Sequence, residues 1–197
     1  HAALGLAPQD LKYRGEITYL EIGERTVIRE FATLNLATDE GKTTRVGSDC
    51  LLMAYTHVAH NCVLGNQVIL ANAVNLAGHV TIEDNVIVGG VTPVHQFVRI
   101  GCHAMVGGAS RVPQDVTPYA LVAGNPPVLA GLNRIGLERR GFTPEAIASL
   151  KLAYRLLFRS GLLLADAVQK VRQEVPPGPE VGHLLEFVEG SQRGLTR

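Results

Sequence analysis

The chain has 197 residues, with 18 basic and 18 acidic side chains, so its formal net charge is zero. That balance excludes a global attraction to nucleic acid or to an anionic membrane, and any charged ligand must be met by a local cluster. Aromatic residues are only 5% and tryptophan is absent while glycine numbers 21, which favours a core of small and β-branched side chains.

The three cysteines, Cys50, Cys62 and Cys102, are odd in number and form no CxxC pair. Neither a disulfide framework nor a zinc knuckle is expected, and a reducing, cytoplasmic compartment suits them. No apolar run could span a bilayer and no signal peptide opens the chain, so no integral membrane segment is expected. The chain begins with His1 and not Met, as a fragment or processed product would.

In chain order, Gln9-Asp10-Leu11-Lys12-Tyr13-Arg14-Gly15-Glu16 reads as an ejected loop near 8–16. Ile22, Ile28 and Leu34 then recur every six residues, and the register is expected to break across 35–45, a second ejected loop with Thr38, Asp39, Gly41 and Lys42. Loops leaving a rigid scaffold often carry function. From Val46 to Val112 every sixth residue is Val, Leu or Ile, and four places after each stands a small or β-branched residue, from Cys50 to Val116. Neither a helix nor a simple strand has a six-residue period. A triangular solenoid does: each hexad gives a short strand and a corner, three hexads close a coil, and residues eighteen apart stack. The fold expected is a left-handed parallel β-helix over 1–130.

Thr117-Pro118-Tyr119 and Gly124-Asn125-Pro126-Pro127 read as breakers that end the solenoid. A helical domain follows over 131–197. One helix starts at Thr143-Pro144, with Thr as N-cap and Pro at the first helical position, and stops at Gly161. A second runs over roughly 163–175, and a third over roughly 180–189 after Pro176-Pro177-Gly178-Pro179.

Five of the seven histidines lie in the repeat: His57, His60, His79, His95 and His103. A single one is most simply a solvated or interface residue. His60 differs because of its column, since Gly78 stands eighteen residues on and Gln96 eighteen further. An imidazole can take a proton from an attacking hydroxyl while a glycine N–H stabilises the oxyanion, which is acyl-transfer chemistry. A three-histidine zinc site would need His57, His60 and His79 to converge. Their hexad phases differ, so acyl transfer is the better reading and no metal is expected.

The ordered set Gln9-Asp10-Leu11-Lys12-Tyr13, Gly47-Ser48-Asp49, Leu51-Leu52-Met53, His57-Val58-Ala59-His60, Leu76-Ala77-Gly78-His79, Val94-His95-Gln96-Phe97, Met105-Val106-Gly107-Gly108 and Arg139-Arg140-Gly141-Phe142 resembles bacterial UDP-N-acetylglucosamine acyltransferases of lipid A synthesis. The resemblance covers essentially the whole chain. It implies a cytosolic homotrimer that moves an (R)-3-hydroxyacyl chain from acyl carrier protein to the 3-hydroxyl of UDP-N-acetylglucosamine. No cofactor is implied beyond the carrier's phosphopantetheine. His60 matches the general base and Gly78 the oxyanion N–H. Gln9, Asp10 and Lys12 match sugar- and acyl-contacting positions. His57, His79, His95 and Gln96 match residues lining a cleft between subunits. Asn133, Arg139 and Arg140 match positions that hold the nucleotide or phosphopantetheine, and guanidinium groups suit a diphosphate. Gly108 matches a position limiting the acyl groove, and glycine there implies a long chain. Acyl carrier proteins are acidic, so Arg25, Arg29, Lys151, Arg155 and Arg159 are candidates for docking one.

Three departures from the family stand out. Its first coils are expected to be missing here. Asn61 follows His60 where an Asp is usual, and Asn35 replaces a cleft histidine. These leave two further readings open: a related N-acyltransferase on an amino sugar nucleotide, and a weak or inactive paralogue or fragment.

Overall fold

The computed structural model describes residues 1–197. The repeat becomes a three-faced prism of short parallel strands. The first five strands are longer or more irregularly spaced: β1 (Ala3–Leu6), β2 (Tyr19–Ile22), β3 (Val27–Ile28), β4 (Thr33–Asn35) and β5 (Thr43–Val46). The next ten have two residues each. They are β6 (Leu51–Leu52), β7 (His57–Val58), β8 (Val63–Leu64), β9 (Ile69–Leu70) and β10 (Asn75–Leu76), then β11 (Thr81–Ile82), β12 (Ile87–Val88), β13 (Pro93–Val94), β14 (Arg99–Ile100) and β15 (Met105–Val106). Every third strand shares a face: β1-β4-β7-β10-β13 on the first, β2-β5-β8-β11-β14 on the second, β3-β6-β9-β12-β15 on the third. Pairing follows the expected stacking, with Leu76 between Val58 and Val94.

The hexad aliphatics from Leu52 to Val112 and the residues four places after them are at most 2% exposed. The hydrophobic drive is therefore spent on a narrow axial core, and a fully buried Leu or Ile adds about 1.5–3 kcal/mol over an exposed one. From Asp49 to Ala109 the residue three places after each aliphatic is left-handed, including Asn61 (φ 60), His79 (φ 61), Val91 (φ 57) and His103 (φ 56). This conformation aims the N–H along the prism axis, so His79 N donates to His60 O at 3.0 Å and Phe97 N to Gly78 O at 3.2 Å. The stack thus recovers in hydrogen bonding what each left-handed residue costs in local sterics.

The expected break of register across 35–45 does not occur. Val46 pairs with both Ile22 and Leu64, so one coil has 24 residues and the next 18. The extra six make one whole hexad, which leaves the phase unchanged. The loop after β1 is likewise phase-neutral: Leu4 pairs with Leu34, thirty residues on.

The breakers after Val116 also do not end the sheet. β16 (Ala120–Ala123) adds to the third face parallel to β15, and β17 (Val128–Leu132) turns back antiparallel beside it. Four helices follow: α1 (Arg134–Arg139), α2 (Pro144–Arg159), α3 (Leu164–Glu174) and α4 (Pro179–Glu189). The short α1 was not foreseen. Thr143 caps α2 by accepting from Ala146 N at 3.2 Å, as its sequence indicates. The buried Tyr154 hydroxyl of α2 donates to Pro118 O at 2.7 Å and meets Thr117 Oγ1 at 2.6 Å, which ties the helices to the last coil. The C-terminal tail returns along the solenoid, with Asp115 N bonded to Gly194 O and Thr196 N to Asp115 O.

Candidate active site

The prism has three edges, each lined by residues two places after a hexad aliphatic. His60, Gly78 and Gln96 line the edge between the first and second faces. Ser48, Asn66, Asp84 and Cys102 line the edge between the second and third, and Asn72, Gly90 and Gly108 the edge between the third and first. Both inserted loops, after β1 and after β4, leave from the His60 edge. A rigid scaffold therefore brings one column of functional side chains and two loops together.

His60 is oriented by its neighbour. Its Nδ1 lies 2.9 Å from Asn61 Oδ1. The same oxygen accepts from Thr38 N at 3.1 Å and from Thr38 Oγ1 at 2.8 Å, and Asn61 Nδ2 faces Asp39 Oδ2 at 3.5 Å. Two donors onto Oδ1 fix which end of the amide faces the ring, so Nδ1 carries the hydrogen and Nε2 keeps its lone pair. That nitrogen points at Gly78. A Cβ added to Gly78 would sit 2.6 Å from Nε2 and closer still to Cε1, so any larger residue must displace the ring. Gly78 N–H has no partner in the protein. On the neighbouring edge the equivalent groups are taken, Ser48 N by Asn66 Oδ1 and Asn66 N by Asp84 Oδ1, both within 2.9 Å.

Asp10, from the first loop, approaches Nε2 at 3.9 Å. Lys12 N and Asp10 Oδ1 are bonded at 2.9 Å, while Gln9 and the Lys12 side chain are exposed. His79 packs edge-on against His60 at 5.1 Å and stacks on Phe97 at 4.7 Å. Burial, then the nearby His60, hold His79 below the usual imidazole range, against a weaker pull from Asp39 and Asp10. His57 is lowered by the same two causes, and its Nδ1 meets Thr33 Oγ1 at 2.7 Å. Both rings are thus held neutral near pH 7. His95 lies on the first face, and Gln96 is exposed at the far end of the column.

The other expected site residues stand elsewhere. Gly108 is on the third-to-first edge, where a Cβ would lie 3.2 Å from Gly90 O. Asn133 caps α1 through Gly136 N and donates to His103 O at 3.0 Å, on the second-to-third edge. Arg140 donates to Gln67 Oε1 at 2.8 Å on that same edge, and Arg139 is exposed beside it. Asn35 is not a cleft residue in this chain. It is 1% exposed and donates to Ala7 O at 3.1 Å, anchoring the start of the first loop.

The sequence gives Thr38 a place in the second loop but no role at the site, and gives Arg193 no role there either. Thr38 holds Asn61. Arg193, from the tail, reaches His95 Nδ1 at 3.0 Å and Pro113 O at 3.3 Å. A hydroxyl on an ejected loop was a weak signal for the first, and nothing in the periodicity points to the second.

The model of the family described as UDP N-acetylglucosamine O-acyltransferase, domain 2, matches residues 115–196. An acyl-(acyl-carrier-protein)–UDP-N-acetylglucosamine O-acyltransferase from Anaeromyxobacter sp. (strain K) is 52% identical over 194 residues, covering 98% of this chain and 76% of that protein. The enzyme of that name from Janthinobacterium is 49% identical over the whole chain and 77% of its own length. The solved structures of the acyltransferases from Acinetobacter baumannii and Bacteroides fragilis superpose with TM-scores of 0.95 and 0.96, at 44% and 40% identity. Each comparison covers all of this chain and 77% of the solved one. Their shared architecture makes the prism a left-handed parallel β-helix with a C-terminal helical segment. With half its residues identical to curated relatives over nearly its full length, the chain belongs to the UDP-N-acetylglucosamine O-acyltransferase family.

Proposed function

We propose that this chain transfers an (R)-3-hydroxyacyl group from acyl carrier protein to the 3-hydroxyl of UDP-N-acetylglucosamine, the opening step of lipid A biosynthesis. Family membership supports the substrates, and one observation supports the mechanism: His60 Nε2 lies beside an unpartnered Gly78 N–H. The sugar hydroxyl attacks the thioester carbonyl as His60 Nε2 takes its proton. Gly78 N–H receives the oxyanion, where a single such donor is worth about 10²–10³ in rate. Collapse expels the phosphopantetheine thiolate, which recovers the proton from the imidazolium. The transfer draws on no cofactor of the protein's own.

The active unit proposed is a homotrimer, working in the cytoplasm. Support comes from the edges. His60, Gly108 and the Asn133–Arg140 group lie on three different edges of one prism, so no single chain can bring them to one substrate. A threefold assembly sets an edge of one copy against its neighbour's faces, and a cleft between copies can then hold nucleotide, sugar and acyl chain at once. No helix is long and apolar enough to cross a membrane. Carrier docking is assigned to α2. Lys151, Arg155 and Arg159 rim a groove of about 1150 Å³ floored by Leu129, Phe142 and Phe158. Arg25 and Arg29 are weaker candidates, because Asp49 with Glu24 and Glu30 already pair with them.

A second reading is favoured by Asn61. A neutral amide stabilises the imidazolium less than a carboxylate would, and an amine acceptor, being the better nucleophile, needs less help from a base. Assay of hydroxyacyl transfer to UDP-N-acetylglucosamine and to its 3-amino analogue, with His60→Ala beside the parent, separates the readings. Transfer to the hydroxyl that falls at least about 10²-fold in His60→Ala supports the first. Transfer to the amine alone supports the second, and no transfer to either identifies a paralogue or fragment without activity.

A further inference from the structure

At the edge between the second and third faces, three donors from distant parts of the chain converge. Glu83 follows β11, Cys102 follows β14 one coil on, and His183 comes from α4. One ligand atom from each lies within 4.8 Å of the others. Glu83 Oε2 is 2.7 Å from His183 Nε2 and 2.8 Å from Cys102 N, which leaves its second oxygen free. Glu83 and His183 are 24% and 37% exposed at the side chain, so an ion can enter and water can reach it. Of the three cysteines only Cys102 is not fully buried.

We propose that Glu83, Cys102 and His183 bind one divalent cation of the zinc class, with water as a fourth ligand, and that the ion pins α4 to the solenoid. A thiolate, an imidazole and a carboxylate form a borderline-soft set, which favours zinc over magnesium or calcium. Binding displaces the Cys102 thiol proton to solvent, and the ion takes the position of the hydrogen between His183 and Glu83. The site stands apart from His60, on the edge that also carries Asn133 and Arg140. It matters through α4, which runs directly into the tail where Ser191 Oγ donates to Asp115 Oδ2 and Arg193 reaches His95.

The test is titration of the chelator-treated full chain with cobalt(II), then competition by zinc. Saturation at one equivalent is expected, with thiolate-to-cobalt charge-transfer absorption in the near ultraviolet. Cys102→Ser removes that band, and His183→Gln, on a half-exposed helix face, weakens binding about tenfold or more. Zinc raises the urea midpoint of the parent and not of Cys102→Ser. No saturable uptake, or a band that survives in Cys102→Ser, overturns the proposal and leaves Glu83 and His183 an ordinary hydrogen-bonded pair. If Cys102→Ser does not fold, the His183→Gln titration decides alone, with unchanged affinity overturning the proposal.

Discussion

Asn61→Asp tests how far the base at His60 depends on its neighbour. The backbone tolerates the change, because Asn61 is left-handed at φ 60 and Asp adopts that region almost as readily as Asn. The geometry also tolerates it, because Thr38 N and Oγ1 donate to an oxygen the carboxylate retains. What changes is charge at 2.9 Å from Nδ1. A hydrogen bond to a charged partner is worth about 1–1.5 kcal/mol more than a neutral one, or roughly five- to tenfold in rate where an imidazolium forms at the transition state. Against this stands Asp39, whose Oδ2 is 3.5 Å from the group replaced. Two carboxylates that close, one exposed and one half-buried, repel by at least about 1 kcal/mol, enough to cancel most of the gain. The single variant is therefore expected near parental kcat/KM on the hydroxyl acceptor, and Asn61→Asp with Asp39→Asn five- to tenfold above it. Transfer to the amine analogue should move less. A double variant no faster than the parent, with its fold intact by circular dichroism, would refute the idea that imidazolium stabilisation limits the rate.

Gly78→Ala places a methyl where the His60 ring stands, 2.6 Å from Nε2, so transfer should fall at least about 10²-fold with thermal stability little changed. Leu76→Ala, at a side chain with no exposure, should lower stability by about 2–5 kcal/mol in urea titration, because stacked neighbours on both sides keep the cavity from collapsing. Stability should also fall on acidification. Burial holds His57, His79 and His103 below their unfolded value of about 6.5. The unfolded chain thus binds more protons between the two midpoints. Stability present above about pH 6.5 is lost as the pH falls through the unfolded value, and the loss levels off once the folded rings titrate. The urea midpoint measured near pH 5 and near pH 7.5 shows the slope, and His103→Gln should flatten it.

The solenoid was legible because its period is enforced at every coil by burial, and Val46 to Val112 carry no exception. The His60–Gly78–Gln96 column followed from the eighteen-residue stack alone. Two things were not legible. β16, β17 and α1 depend on packing against the last coil, and Tyr154 reaching Pro118 is a contact no periodicity announces. The partners of the site side chains were hidden for the same reason. Asn35 looked like a lost cleft histidine, but the folded chain uses its amide to hold the first loop.

The second loop keeps the six-residue phase where its sequence suggests a break, since Val46 pairs with both Ile22 and Leu64. Because it adds one whole hexad, removing Leu36–Gly41 should leave the prism intact. The shortened chain joins Asn35 to Lys42, which puts Thr44 in the inward position it already occupies at no exposure. Thr43 falls in the left-handed position, where a β-branched residue is costly, so Thr43→Asn belongs in the same variant. Removal of three residues instead shifts Val46 and every later aliphatic off the core face relative to the coils before it. The six-residue deletion should therefore keep the parental circular dichroism spectrum and a cooperative urea transition, and the three-residue deletion should not. Activity separates the loop's second role. Without Thr38, nothing fixes which end of the Asn61 amide faces His60, and kcat should drop by about tenfold or more, since loss of a charge-assisted orientation costs about 1.5 kcal/mol. A folded six-residue deletion with parental kcat would leave Thr38 a bystander, and an unfolded one would show that the loop supports the prism by more than its phase.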